Sequence, residues 1–185
     1  GLKMNVLGLI LARGIHSQLK TLTSWRPTSS LEFAANYKLI DFALSNFVNS
    51  DIYTIGTITQ YLPHHLADYL GIGEPWELNL NGRDISVLQP QVKTKQKNWY
   101  LGDFHSIAHN LNYLQLKNPK YVIITPGNSI NKANYKKILH YHQQQNAEIT
   151  IISSKSSPSE TKQSSFSFQT TKDNQLINCS PTDKY

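Results

Sequence analysis

An apolar run, Val6 to Ala12 (VLGLILA), breaks sharply at Arg13-Gly14 and gives way to a polar stretch reaching Thr23. A short continuous apolar run closed by a glycine-containing turn reads as a strand buried in a parallel sheet. Open α/β sheets bind ligands just beyond the carboxyl ends of such strands, which makes this junction the natural place for a phosphate site. A phosphate cradle needs several glycines, so that backbone N–H groups can approach the anion, and a nearby cation. Here Gly14 stands alone, and Ile15, His16 and Gln18 fill positions where small residues and a guanidinium would serve. The junction reads as a nucleotide site with its chemistry removed. Gly14 reads equally well as a plain turn residue.

Strand and helix patterns alternate along the chain. Tyr37 to Val48 carries apolar residues at 39, 40, 43, 44, 47 and 48, the stripe of an amphipathic helix. Ile52 to Thr59 is a β-branched strand ending at Gln60-Tyr61, and Pro63 opens a short helix through Tyr69. Gly71 to Gly82 reads as an ordered loop and Asp84 to Leu88 as a short strand. A polar, lysine-bearing connection, Gln89 to Asn98, precedes a helix over Ser106 to Leu116. Tyr121 to Thr125 is the clearest strand and ends at Pro126-Gly127-Asn128; a helix follows from about Asn134 to Gln145, then a strand from Ala147 to Ile152. Serine-rich 152–165 reads as a mobile loop, and Phe166 to Cys179 as a hairpin turning near Lys172 to Gln175. Such alternation implies parallel pairing, hence a three-layer α/β sandwich. Three strand ends then converge on one sheet edge: Arg13-Gly14, Gln60-Tyr61 and Gly127-Asn128.

Length and charge bound the function without choosing it. With 185 residues there is room for one domain with a substantial core. No apolar run is long enough for a membrane helix, and the start lacks the apolar stretch of a signal peptide. Cys179 is the single cysteine, so no disulfide framework or cysteine-rich metal site is expected and a reducing cytoplasm is the simplest location. A net charge of +6 favours anionic partners of any kind.

The order of motifs resembles the glucose-1-phosphate adenylyltransferases (ADP-glucose pyrophosphorylases). The matching stretches are LGLILA (Leu7 to Ala12), LKTLT (Leu19 to Thr23), YKLIDFALSNFVNSDI (Tyr37 to Ile52) and TQY (Thr59 to Tyr61). LGIGEPWELN (Leu70 to Asn79), WYLG (Trp99 to Gly102) and NYKKILHYH (Asn134 to His142) continue the series nearly to the end. The resemblance implies a Rossmann-like nucleotidyltransferase domain with a mostly parallel sheet. Family members transfer an adenylyl group from ATP to glucose 1-phosphate and release pyrophosphate, the first committed step of bacterial glycogen synthesis. Their catalytic domain is longer and is followed by a left-handed β-helix, so residues 1–185 would be the N-terminal part only. The positions that would line the nucleotide are Ala12, Gly14, Gln60 and Gly102.

Departures from the family pattern fall on charged groups. Catalysis of this type rests on positioning and on cations over the phosphates. Gln18 stands where active members carry an arginine, and His16 replaces a glycine. In Arg26-Pro27-Thr28-Ser29, Thr28 occupies the lysine position of an Arg-Ala-Lys-Pro segment. Asn128 replaces the aspartate that holds Mg²⁺ in active members, and a neutral amide is a far poorer ligand than a carboxylate. The resemblance therefore implies a regulatory, catalytically inactive subunit that needs no cofactor of its own and partners a catalytic homologue. An active adenylyltransferase and a non-catalytic module sensing nucleotide or sugar phosphate are the alternatives.

Plainer readings stand beside these. Gln60 would cap its strand and Asn128 would form a turn. His105 and His109 share a helix face, as metal ligands would, but with no third ligand visible a solvated or mutually satisfied pair is preferred. Lys93, Lys95 and Lys97 beside Trp99 and Tyr100 are a solvated loop, since no nucleic-acid module accompanies them. Neither nucleic acid nor membrane is an expected partner.

Overall fold

The computed structural model describes residues 5–12, 28–33, 37–59, 63–89, 103–153 and 166–181. The chain divides into two units, Gly1–Gln144 and Gln145–Tyr185.

The first unit is built on β1 (Val6–Ala12), which pairs in parallel with β4 (Thr54–Thr59) on one side and β6 (Tyr121–Pro126) on the other. β5 (Asp84–Leu88) extends the sheet beyond β4, giving the order β5-β4-β1-β6. The central place of β1 explains its composition. Val6, Ile10 and Ala12 belong to the main core, whereas Leu7 and Leu9 belong to a second cluster with Ile58. Neighbouring side chains on a strand point to opposite faces, so an apolar run without polar alternation is what a strand buried on both sides requires.

Helices cover both faces. α1 (Leu39–Val48), α2 (Pro63–Leu70) and α5 (Tyr135–Gln144) supply Ile40, Leu44, Phe47, Leu66, Leu70 and Leu139 to the main core. Ile107 of α3 (Asp103–Ala108) and Tyr113 and Leu114 of α4 (Leu111–Lys117) pack against the second cluster. The three-layer expectation holds.

Several boundaries differ from the sequence reading. α1 begins at Leu39 because Tyr37-Lys38 is extended (β3) and pairs antiparallel with Glu32-Phe33 (β2). β4 begins at Thr54, two residues later than expected. The expected helix over Ser106 to Leu116 is two helices, broken at His109-Asn110. There the Asn110 amide nitrogen donates to the Ser106 carbonyl at 2.8 Å, and the Asn110 backbone N–H donates to Ile107 rather than one residue earlier. A short polar side chain that bonds the backbone locally competes with the regular helical pattern.

Within the loop before β5, Gly73 has φ +77°, and a Cβ there would lie 2.6 Å from Leu78 Cβ, so only glycine fits. Leu78 is thereby buried, and a short 3₁₀ turn, Glu74–Trp76, sets Trp76 edge-on to Tyr69.

The second unit contains the hairpin of β7 (Phe166–Thr170) and β8 (Leu176–Pro181), close to the expected bounds. The strand expected over Ala147 to Ile152 is absent. Ile149, Ile151 and Ile152 are exposed there, and no neighbouring strand among the described residues pairs with them. β-branched composition marks fit to a pleated, half-buried surface, and without a partner edge it makes no strand. The polar connection after Gln89 and the loop beyond Ser153 lie outside the described residues.

Candidate functional site

Strand order turns back at β1. The chain moves from β1 outward to β4 and β5, then crosses the other face to place β6 on the opposite side of β1. A crevice outside the carboxyl ends at such a reversal is the usual ligand position in open α/β sheets. The β1/β6 junction is therefore the candidate ligand position.

Registers bring the strand ends level there: Ala12 pairs with Thr59, and Leu11 with Pro126. The backbone N–H of Gly127 continues the ladder to the Leu11 carbonyl at 3.0 Å. Gly127 is buried, and a Cβ on it would lie 3.0 Å from Ile10 Cγ2, 3.3 Å from Ser29 Cβ and 3.4 Å from Ala12 Cα. The β6 terminus and β1 thus meet a third segment, the 3₁₀ turn Thr28–Ser30, whose three residues are all buried. That turn is fastened by the Leu31 N–H to Thr28 and by the Leu39 N–H to Leu31, which ties it to the start of α1.

Of the positions named from the sequence, Ala12, Thr28 and Asn128 are described, and all three belong to segments that meet at this edge. Ala12 is fully buried, Thr28 is nearly so, and Asn128 is half-buried in the turn after β6. Gly14, Gln18, Gln60 and Gly102 lie outside the described residues. Ser29 escaped the sequence reading. Its side chain is fully buried beside Gly127, and its hydroxyl has no hydrogen-bond partner among the described residues. Its only signal was its place next to Thr28.

Among the described residues of this edge, none offers a carboxylate to Mg²⁺. Among the described residues no group of three or more His, Cys, Asp or Glu side chains gathers anywhere, and the turn after β6 offers the Asn128 amide. Mg²⁺ sites are built on carboxylate oxygens, and none is contributed by Ala12, Thr28, Ser29, Gly127 or Asn128.

Asp41 lies nearby in chain order but has a different task. It is 7 % exposed in the first turn of α1, and its Oδ2 accepts from the Lys38 backbone N–H at 2.8 Å and from the Tyr69 hydroxyl at 2.7 Å. The Lys38 ammonium sits 3.6 Å from the centre of the Tyr69 ring. A carboxylate at a helix N-terminus satisfies an orphan N–H and complements the dipole. Asp41→Ala strands the Tyr69 hydroxyl and the Lys38 N–H, so it is expected to cost about 1–3 kcal/mol of stability, with Asp41→Asn costing less. An unchanged melting temperature for Asp41→Ala would mean that these bonds stabilise nothing.

The same contacts set a pH dependence. Burial, then the hydrogen bond and charge of Asp41, raise the Tyr69 pKa well above its ordinary 10.0. Burial pushes Tyr113 up to about 12 and raises Tyr135 as well. Unfolded tyrosines release their protons near pH 10 while these folded ones keep them, so the folded state binds more protons there. Stability is therefore fully present below about pH 10 and falls as pH rises toward 12. Melting temperatures measured across that range check this, and Tyr69→Phe should flatten the fall. A flat profile in the parent chain would contradict it.

Comparisons with known proteins show the family and the fold. Residues 7–164 match the family described as Nucleotidyl transferase. The glucose-1-phosphate adenylyltransferase of Lachnospira eligens is 42% identical over 150 residues, covering 81% of this chain and 36% of that protein. That of Fervidobacterium nodosum is 40% identical over 147 residues, covering 80% of this chain and 35% of that protein. The chain thus spans about a third of the length of these curated relatives. Among solved structures, a putative glucose-1-phosphate thymidylyltransferase from Bacillus anthracis in complex with a sucrose superposes with a TM-score of 0.67 at 16% identity. That match covers 97% of this chain and 65% of the other, and it speaks for the fold.

Proposed function

Since the chain belongs to the nucleotidyl transferase family, we propose that it is part of a regulatory, non-catalytic subunit of glucose-1-phosphate adenylyltransferase, which associates with a catalytic homologue in glycogen synthesis. The observation that carries the reading is the β1/β6 edge. Its described backbone is closely packed, with Gly127 seated on Ala12 and Ser29, yet it carries an amide at Asn128 and a buried hydroxyl at Thr28. Among the described residues this edge contributes no cation and no carboxylate, and a site that lacks such groups lacks the electrostatic part of catalysis. Similarity of about 40% to glucose-1-phosphate adenylyltransferases supports the substrate class.

Association would use surfaces that stay ordered without substrate. Phe104 on α3 and Leu116 on α4 are 84% and 81% exposed, and aromatic anchors often dominate interface energetics. Trp76, by contrast, already packs against this unit's own core. Co-expression with the catalytic homologue followed by size exclusion tests association: one mixed complex supports the reading, and separate elution refutes it. A thermal-shift screen with ATP, ADP-glucose and glucose 1-phosphate distinguishes a sensing module, which would be stabilised, from a scaffold, which would not.

A further inference from the structure

We propose that His105 and His109 form a surface chelate for a divalent transition-metal ion, Cu²⁺ foremost, with solvent completing the coordination. The two residues stand four apart, and the His109 N–H donates to the His105 carbonyl at 3.0 Å, so the backbone between them is one α-helical turn. Side chains at that spacing share a helix face. Their Nε2 atoms are 3.1 Å apart while the ring centroids are 4.3 Å apart, so the nitrogens lie on the facing sides of the two rings. A metal–imidazole bond is about 2.0–2.1 Å. An ion that far from both nitrogens, with the 3.1 Å separation between them, subtends an N–metal–N angle of about 95–102°. That angle falls between the cis angle of a square or octahedral site and the tetrahedral one.

No other pair of histidines has this spacing along the chain. The seven histidines are 16, 64, 65, 105, 109, 140 and 142, and only 105 and 109 are separated by three or four residues. Histidines one or two residues apart on a helix do not face each other. With His109 exposed and His105 half-exposed, the site is open to solvent.

In the metal-free chain one Nε2–H donates to the other ring's Nε2 lone pair. Binding needs both Nε2 lone pairs, so the donating ring moves its proton to Nδ1 and no proton is lost. Two imidazoles select Cu²⁺ over Ni²⁺ and Zn²⁺ by intrinsic affinity, and Mg²⁺ and Ca²⁺, which take oxygen ligands, are excluded. The site differs in kind from the β1/β6 edge, since its protein ligands are imidazole nitrogens, and it does not depend on the regulatory reading.

The test is titration of the tag-free chain with Cu²⁺ and separately with Mg²⁺, followed by calorimetry and electron paramagnetic resonance. One Cu²⁺ per chain with nitrogen hyperfine structure is expected, with no response to Mg²⁺. Losing one arm of a chelate removes its effective-concentration advantage, so His105→Ala and His109→Ala should each weaken Cu²⁺ binding at least about tenfold. A His64→Ala, His65→Ala control should leave it unchanged. Circular dichroism confirms that the variants fold, and the exposed His109 makes its variant decisive should His105→Ala misfold. Absence of Cu²⁺ binding, or equal affinity in the parent and both variants, would overturn the proposal.

Discussion

Incubated with ATP, glucose 1-phosphate and Mg²⁺, the purified chain is expected to form no ADP-glucose above background. Removing a single preorganised electrostatic group commonly costs about 10²- to 10³-fold in rate. On the reading proposed above, three positions depart together from the pattern of active members, Gln18, Thr28 and Asn128, and groups that act as a unit do not fail additively. The expected deficit relative to active relatives is therefore at least about 10³-fold, rather than the product of three factors. Asn128→Asp alone should not rescue turnover, because Gln18 and Thr28 remain. Thr28→Lys is costlier, since residue 28 is 3 % exposed within a closed 3₁₀ turn where an ammonium needs a route to solvent. Robust ADP-glucose formation by the parent chain would sink the non-catalytic reading.

Phe47→Ala is expected to be the most destabilising of the simple core truncations, by about 3–5 kcal/mol. The ring is fully buried and lies against Tyr135 with a centroid separation of 4.7 Å. It also fills the space left by a missing side chain: a Cβ on Gly8 would sit 2.7 Å from its edge. Gly8 and Phe47 are thus one packing unit joining the central strand to α1. Single domains are stable by about 5–15 kcal/mol, so this loss consumes a large share. Urea denaturation reads it directly, and a loss under about 1 kcal/mol would mean that the core relaxes around the gap.

Legibility from the sequence tracked how local each signal was. β1 was readable because a strand buried in a parallel sheet announces itself by an unbroken apolar run, and β6 from its β-branched run although Val122 and Ile124 are exposed. α1 was readable from its stripe, but its start was not. The extended Tyr37-Lys38 depends on pairing with Glu32-Phe33, and the Asp41 carboxylate reaching back to Lys38 looks like any acidic residue in a list. The break at Asn110 came from one side chain outcompeting a helical hydrogen bond. The absent strand over Ala147 to Ile152 shows the converse, a good local pattern with no partner among the described residues. At the site, Ala12, Thr28 and Asn128 could be named from a resemblance, but not the seat of Gly127 on Ser29, which links residues 98 positions apart. Such contacts are made by the fold and leave no periodic trace.

The most direct measurement is the rate of the catalytic homologue with and without this protein, assayed at matched catalytic-subunit concentration and paired with size exclusion of the same samples. A rise in ADP-glucose formation that saturates as the mixed complex forms is the expected result. Identical rates in both samples, with the two proteins eluting apart, would contradict a regulatory role.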